Sequence, residues 1–221
     1  MRETFIFKMF SSILTTIFIL LFLLLCFRIY KCLPGFCPKH RTENKPIEVL
    51  VVLGSGGHTG EMAPLVNALH ESKNYKRFTF VSANTDHLSK QHQLIPQEGS
   101  IFLSIPRARN VGQSYISSIL TTIYSFLASL PLMFRKPDLL LVNGPGVCLP
   151  VVFSIFIGNI LGISNCSIVY VESICRVKTL SLTGKLIYPV CDFFFVCWPE
   201  LVNLRKRAKL IDLFGLHKNR L

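Results

Sequence analysis

The sequence predicts an α/β protein in which one parallel sheet with helices on both faces follows a single N-terminal transmembrane helix. Three observations carry this. Residues 9–27 hold no charge. Beyond residue 47, short apolar runs alternate with longer stretches of helical periodicity. Half of the 221 residues are apolar and only 16% are charged, which excludes a disordered chain.

The first element is the anchor, assigned to residues 1–30. An apolar helix over 9–27, rising 1.5 Å per residue, matches the roughly 30 Å hydrocarbon core of a bilayer. A cleaved signal peptide is the rival, but its apolar region is shorter and ends at small residues. Here the run closes on Cys26-Phe27-Arg28. Arg2 and Lys8 precede the run, while Arg28, Lys31, Lys39, Arg41 and Lys45 follow it. The positive-inside rule therefore puts the C-terminal side in the cytosol. Eight cysteines without a Cys-x-x-Cys pair, several inside apolar runs, fit a reducing compartment and no metal site. The net charge of +12 fits either phosphate-bearing partners or the cytosolic bias around an anchor.

A linker over 31–46, containing Pro34, Gly35, Pro38 and Pro46, leads into the body at 47–200. Strands are expected at 48–53, 78–82, 101–105, 139–143, 167–171 and 193–198. Their nearly continuous hydrophobicity suits strands covered on both faces. Helices are expected at 59–71, 86–93, 112–134, 148–161 and 179–188. Six strands with five crossovers make one Rossmann-like domain, with ligands at the strands' carboxyl ends near the switch between the first and fourth.

Those ends carry the candidate chemistry. The first strand runs into Gly54-Ser55-Gly56-Gly57-His58-Thr59-Gly60-Glu61, the third into Arg107 and Arg109, the fourth into Asn143-Gly144-Pro145-Gly146, and the fifth into Glu172-Ser173. A glycine-rich turn opening a helix is a general anion site. The dinucleotide fingerprint fails, because Thr59 stands at its third glycine and Ser82-Ala83-Asn84 ends the second strand without an acid. The P-loop fails for want of Lys-Ser/Thr after the glycines. A diphosphate of another ligand is left, with a ligand-free αβ turn as the alternative. His58 is a general base, a phosphate contact or a helix cap. Glu172 orients a sugar hydroxyl or caps the following turn. Arg107 and Arg109 contact phosphate or are solvated charges.

Residues 111–134 are also uncharged, with Ser114, Ser117, Ser118, Thr121, Thr122, Ser125 and Ser129 forming a stripe at helical spacing. A second crossing here would split one sheet across the bilayer. The segment is thus a domain helix or lies in the membrane interface. In the basic tail, 201–221, Arg205, Lys206, Arg207 and Lys209 stand beside Leu201, Leu204, Ala208, Ile211 and Leu213, a pattern for a short helix with a charged side. Its three readings are a solvated end, a headgroup contact and a partner-docking surface, and docking is expected.

Taken together, Val52-Leu53-Gly54-Ser55-Gly56-Gly57-His58-Thr59-Gly60-Glu61-Met62, Asn143-Gly144-Pro145-Gly146, Tyr170-Val171-Glu172-Ser173, Leu180-Ser181-Leu182-Thr183-Gly184-Lys185 and Trp198-Pro199-Glu200 occur in order behind an anchor. This closely resembles the membrane-anchor subunit of the eukaryotic UDP-N-acetylglucosamine transferase of the dolichol pathway. It is also similar to the first half of the bacterial enzyme that glycosylates the undecaprenyl-linked peptidoglycan precursor. The resemblance spans residues 47–204, and the tail after Leu204 departs from it.

The resemblance implies the N-terminal, acceptor-binding half of a GT-B glycosyltransferase. A soluble catalytic subunit would supply the other half with the UDP-GlcNAc site. Together they would add the second GlcNAc to GlcNAc-diphosphodolichol on the cytosolic face of the endoplasmic reticulum membrane. This chain alone would be inactive, with no cofactor, metal or nucleic acid. The acceptor diphosphate would lie against Gly54, Ser55, Gly56, Gly57, Thr59, Arg107, Arg109, Asn143, Gly144 and Gly146, with His58 and Glu172 as the catalytic candidates. A membrane adaptor that recruits a partner without touching substrate is the alternative.

Overall fold

The structure, a computed structural model, describes residues 2–36, 45–72, 74–86, 89, 93, 95, 96, 98–109 and 112–213. A 31-residue helix, α1 (Arg2–Cys32), comes first. Its apolar part, Phe7–Cys32, is long enough to cross a bilayer, and its most apolar 18-residue stretch is not covered by the rest of the protein. The body follows as β1 (Ile47–Leu53), α2 (Gly57–Glu71), β2 (Tyr75–Ala83), β3 (Ile101–Ile105), α3 (Tyr115–Ser129), β4 (Leu139–Asn143) and α4 (Cys148–Leu161). Then come β5 (Ser167–Val171), α5 (Leu182–Ile187), β6 (Phe193–Val196), α6 (Pro199–Val202) and β7 (Ala208–Leu210). The helix expected over 86–93 falls largely on residues outside those described.

All pairings are parallel, in the order β3-β2-β1-β4-β5-β6-β7. The expected switch is therefore present. β1 pairs with β2 on one side (Val51 beside Phe80) and with β4 on the other (Val51 beside Leu141). A parallel sheet must be covered on both faces, and two apolar clusters do this. One joins Leu50, Val52, Leu140, Ile168 and Phe194 to Val151, Val152 and Ile155 of α4. The other joins Val49, Val51, Phe78 and Phe80 to Met62, Ala63 and Val66 of α2.

The inner end of α1 is part of the first cluster through Cys32 and Leu33. α4 ends at Gly162, in the left-handed conformation (φ 74°) that suits glycine at a C-cap. Arg28 donates from Nε to the Ile160 carbonyl and from Nη2 to the Asn159 carbonyl, both at 2.8 Å. A cation on the last carbonyls of a helix is also favoured by the helix dipole. The anchor helix is thus fastened to the sheet domain before the linker begins.

The tail departs from expectation. Residues 208–210 form β7, a strand added to the sheet edge beside β6, where a short helix was expected. Its basic residues explain the difference. The Arg207 guanidinium donates to the Cys191 and Tyr188 carbonyls and lies 4.4 Å from the Tyr188 ring centre. Lys209 stands over the Phe193 ring at 5.8 Å. With those charges held by edge residues, Ala208 is buried and the Ile211 N–H continues the ladder to the Val196 carbonyl. Ile211 and Leu213, expected on a docking face, pack partly against the second cluster, whereas Leu204 stays exposed.

Candidate functional site

The switch between β1 and β4 brings two loops into contact at the carboxyl edge of the sheet. The approach is close enough to demand glycine twice. A Cβ on Gly54 would stand 2.4 Å from Pro145 Cγ and 2.9 Å from His58 Cβ. A Cβ on Gly144, which has φ +48°, would stand 2.7 Å from His58 Cε1. The His58 ring consequently lies flush against the β4–α4 loop.

Behind His58 runs a chain of buried polar groups. Ser173 Oγ donates to Glu61 Oε1 (2.8 Å), and Asn143 Nδ2 donates to Glu61 Oε2 (3.0 Å). Because the Asn143 amide nitrogen is used by Glu61, its oxygen faces His58 and accepts from Nδ1 at 2.9 Å. That requires the proton on Nδ1, so the neutral ring keeps its lone pair on Nε2. The Glu61 carboxylate is 3.7 Å from Nδ1.

This carboxylate raises the His58 pKa above the ordinary 6.5. Burial of the ring opposes the rise, and Asn143 and the charge of Glu172 add to it. For Glu61, burial pushes its own pKa up. The nearby His58 ring, together with hydrogen bonds from Ser173 and Asn143, outweighs this and holds it below the usual value.

Glu172 is fully buried, and both its oxygens are taken by protein donors. Oε1 accepts from the Tyr170 hydroxyl and the Ser173 N–H, each at 3.1 Å. Oε2 accepts from the Ser181 N–H (2.9 Å) and Ser181 Oγ (3.1 Å). Of its two sequence readings, the observed contacts are those of the turn cap that holds the start of α5. Thr59 is likewise buried and donates to the Gly54 carbonyl beside Ser89, which tightens the glycine loop from within. Gly56, at φ +66°, supplies the left-handed turn before α2.

Two hollows open on this edge. The larger, about 440 Å³, is lined by Ser55, Gly144 and Gly146 together with Arg107, Arg109 and Arg176, and among the described residues no acidic one lines it. Arg107 reaches Thr85 Oγ1 at 3.3 Å, and Arg109 Nε donates to the Gln113 carbonyl at 2.9 Å. The smaller hollow, about 310 Å³, holds Gly57, His58, Glu61, Glu172 and Ser173. Gly144, Arg176 and Ser181 line both, so the two hollows are adjacent. Three guanidinium groups suit a phosphate-bearing ligand, since each offers planar forked donors to anionic oxygens.

Sequence reasoning brought His58, Asn143, Gly144, Gly146, Ser55, Arg107 and Arg109 to one edge, and the structure gathers them there. Gly54, Gly56, Thr59 and Asn143 shape that edge from beneath, outside the lining of either hollow. Three contributors were missed as site residues: Glu61, Ser173 and Arg176. Glu61 was signalled by its spacing, since His58 and Glu61 at i,i+3 share a helix face. Arg176 was signalled only by lying in the loop after the fifth strand.

The chain matches, over residues 49–214, the family described as oligosaccharide biosynthesis protein Alg14 like. The chain belongs to this family. The Alg14 match continues past Leu204, so the departure expected of the tail is not borne out up to residue 214. A curated relative from Candida albicans, named UDP-N-acetylglucosamine transferase subunit ALG14, is 40% identical over 209 residues, covering 93% of this chain and 92% of its own. Relatives of the same name from Mus musculus and Homo sapiens are 45% and 42% identical, covering 74% and 72% of this chain and 81% and 79% of theirs.

Among solved structures, Acinetobacter baumannii MurG superposes with a TM-score of 0.52 at 15% identity, over 70% of this chain and 42% of its own. A UDP-N-acetylglucosamine 2-epimerase superposes with 0.54 at 17%, over 75% and 48%. The chain thus spans under half of either, and the likeness is one of fold: a single Rossmann-like sheet of the kind that forms half of a GT-B glycosyltransferase.

Proposed function

We propose that this chain is the membrane-anchoring, acceptor-binding subunit of a UDP-N-acetylglucosamine transferase, adding the second GlcNAc to GlcNAc-diphosphodolichol. The observation that carries the reading is the hollow lined, among the described residues, by three arginines and no acid, beside the smaller hollow that holds His58. Its arginines take the lipid diphosphate, and the sugar extends towards the smaller hollow. There Nε2 of neutral His58 accepts the proton of the attacking hydroxyl while Nδ1 stays bound to Asn143. Glu61 stabilises the imidazolium that forms, as an orienting carboxylate does behind a catalytic histidine.

The UDP-GlcNAc site comes from a soluble catalytic subunit, which closes against this domain to complete a two-half enzyme. The reaction takes place at the endoplasmic reticulum membrane, on its cytosolic face, which the charge bias after Phe27 supports.

The test is transfer from UDP-GlcNAc to a GlcNAc-diphospho-lipid by the purified chain, with and without the co-expressed partner. Transfer should require both subunits. His58→Ala should lower the rate by about 10²–10⁴-fold, the usual worth of a positioned general base, while leaving partner pull-down intact. An unchanged rate would instead make the chain a recruiting adaptor. A tag placed at Leu221 should be cut by protease in intact microsomes; its protection would reverse the orientation.

A further inference from the structure

The loop between β5 and α5, residues 172–181, serves both hollows. Ser173 reaches Glu61 on the His58 side, and Arg176 lines the smaller hollow as well as the larger, which Arg107 and Arg109 do not. The three arginines also differ in what they already hold. Arg107 donates to Thr85 Oγ1 and Arg109 to the Gln113 carbonyl. Among the described residues, no protein group accepts from the Arg176 guanidinium. Its whole fork of donors is therefore open to an anion. A long, exposed side chain of this kind aims only as well as its backbone does, since ordering it costs entropy that binding must offset.

That backbone is held at its ends by Glu172, whose carboxylate accepts from the Ser173 and Ser181 N–H groups. Inside the loop the Arg176 N–H closes a turn on the Ser173 carbonyl at 2.9 Å. Among the described residues, the one hydrogen bond reaching 174–180 from outside the loop comes from Trp198. Its Nε1 donates to the Ile174 carbonyl at 2.6 Å. The donor is itself firmly placed. A residue before proline is confined to extended backbone, and Trp198, ahead of Pro199, has φ −124° and ψ 136°. Its half-buried ring packs against the first apolar cluster. An indole N–H shielded in this way needs a partner, and the loop supplies it.

We propose that Trp198 is a positioning residue, whose indole N–H fixes the β5–α5 loop so that Arg176 meets a diphosphate where the two hollows adjoin. The ligand class rests on the acceptor reading above. In that reading Arg176 takes the phosphate that carries the sugar, while Arg107 and Arg109 take the one that carries the lipid. Ser173 keeps its place without Trp198, because Glu172 pins its N–H directly. Loss of the indole bond therefore acts on binding and spares the chain of groups behind His58.

Calorimetric titration of the full chain in detergent with inorganic pyrophosphate tests this without a transfer step. Trp198→Phe keeps a ring and removes the N–H. It should weaken binding roughly twofold to tenfold, the range of one ordinary hydrogen bond. Arg176→Ala should weaken it roughly tenfold or more, as loss of a bond from a charged group does. Because Trp198 acts through Arg176, the double variant should bind no worse than Arg176→Ala alone. The Trp198→Phe loss should also fade as salt screens the Arg176 charge. Unchanged binding in Trp198→Phe, or losses that multiply in the double variant, would overturn the proposal. So would a wild-type chain that does not take pyrophosphate, since Arg176 would then have no anion to meet.

A second variant covers the case in which Trp198→Phe folds poorly. The chain has one tryptophan, so growth on benzothienylalanine in place of tryptophan puts sulfur where the indole N–H stood, at position 198 alone. This near-isosteric change should reproduce the loss, and wild-type binding by the analogue would overturn the proposal. In the two-subunit complex, Trp198→Phe should raise KM for the diphospho-lipid and leave kcat, its pH profile and the KM for UDP-GlcNAc in place. A fall in kcat with a shifted profile would make Trp198 a support of the whole site and would overturn its specific role. The two readings fail separately. Coupled pyrophosphate binding without transfer would refute the acceptor reading alone, and transfer with uncoupled binding would refute the role of Trp198 alone.

Discussion

The two sides of the candidate site are built in opposite ways. On the His58 side every group is held. Ser173, Glu61, Asn143 and His58 form an unbroken chain of partners, three of them buried, and two glycines let the loops close over it. On the arginine side the charges are long, and Arg109 and Arg176 are exposed. A held, desolvated group acts at one atom with little reorganisation. An exposed cation attracts at a distance and is screened by salt. Under the proposed function, the difference separates the place where a proton would move from the place where an anion would be caught. It predicts that substitutions on the first side change the rate, and those on the second change affinity.

The sharpest break of that contrast is at Gly54. Gly54→Ala puts a carbon 2.4 Å from Pro145 Cγ, and a proline ring has no flexible end to swing away. The two loops must part, which should destabilise the domain by about 1–3 kcal/mol as other overpacked sites do. Thermal unfolding should show the loss, and transfer should fall with it. A retained melting temperature with wild-type transfer would mean that the loops are not held in contact.

Asn143→Ala comes next. It strips one donor from buried Glu61 and the acceptor from His58 Nδ1, and leaving such groups unpaired costs about 1–3 kcal/mol. Because the tautomer of His58 is no longer fixed, kcat should fall while KM stays nearly constant. A rise in KM alone would move Asn143 to the binding side.

Glu61→Gln tests the electrostatics with little change of shape. The Glu61 carboxylate is the largest cause of the raised His58 pKa. If neutral His58 is the base, kcat/KM rises with pH through that raised value. The amide should shift the rise to lower pH, and a rise that stays in place would exclude His58 as the titrating group. Stability has two edges. Glu61, with its folded pKa lowered, stabilises above its unfolded value and loses this as pH falls through the folded one. His58, with its folded pKa raised, stabilises below 6.5 and loses this as pH climbs through the raised value. The pair therefore favours folding most between those limits, and Glu61→Gln should flatten that window in a melting series.

The held side and the fold were legible to different degrees. Parallel strands buried on both faces leave apolar runs that are hard to misread, and 101–105, 139–143 and 167–171 lie where expected. The glycine loop was legible because a close approach of two backbones leaves only glycine at the contact. Glu61 was passed over because a carboxylate on a helix has solvent as its default environment, and only the fold brings Asn143 and Ser173 to it. β7 was misread for a related reason. Arg205, Lys206, Arg207 and Lys209 look like the charged side of a helix until the Tyr188 and Phe193 rings and the Tyr188 and Cys191 carbonyls, from elsewhere in the chain, receive Arg205, Arg207 and Lys209. The stripe of 111–134 had the right period, but which side faces the protein is decided by the Pro106 and Ala108 carbonyls, which accept from Ser125, Thr121 and Thr122 and are invisible in a linear pattern.

The smallest expected effect lies on the arginine side, at Arg109. Its guanidinium is exposed and already donates to the Gln113 carbonyl, so part of its donor capacity serves its own loop. Exposed charge interactions contribute about 0.2–1 kcal/mol, which corresponds to less than about fivefold in an equilibrium constant. Arg109→Ala should therefore raise KM for the diphospho-lipid modestly, leave kcat unchanged, and lose its effect as ionic strength rises and the Debye length shrinks. Arg107 and Arg176 line the same hollow and retain most of the field. A fall in kcat, or an effect that persists in high salt, would mean that Arg109 bonds the reacting group directly and belongs with His58 on the held side.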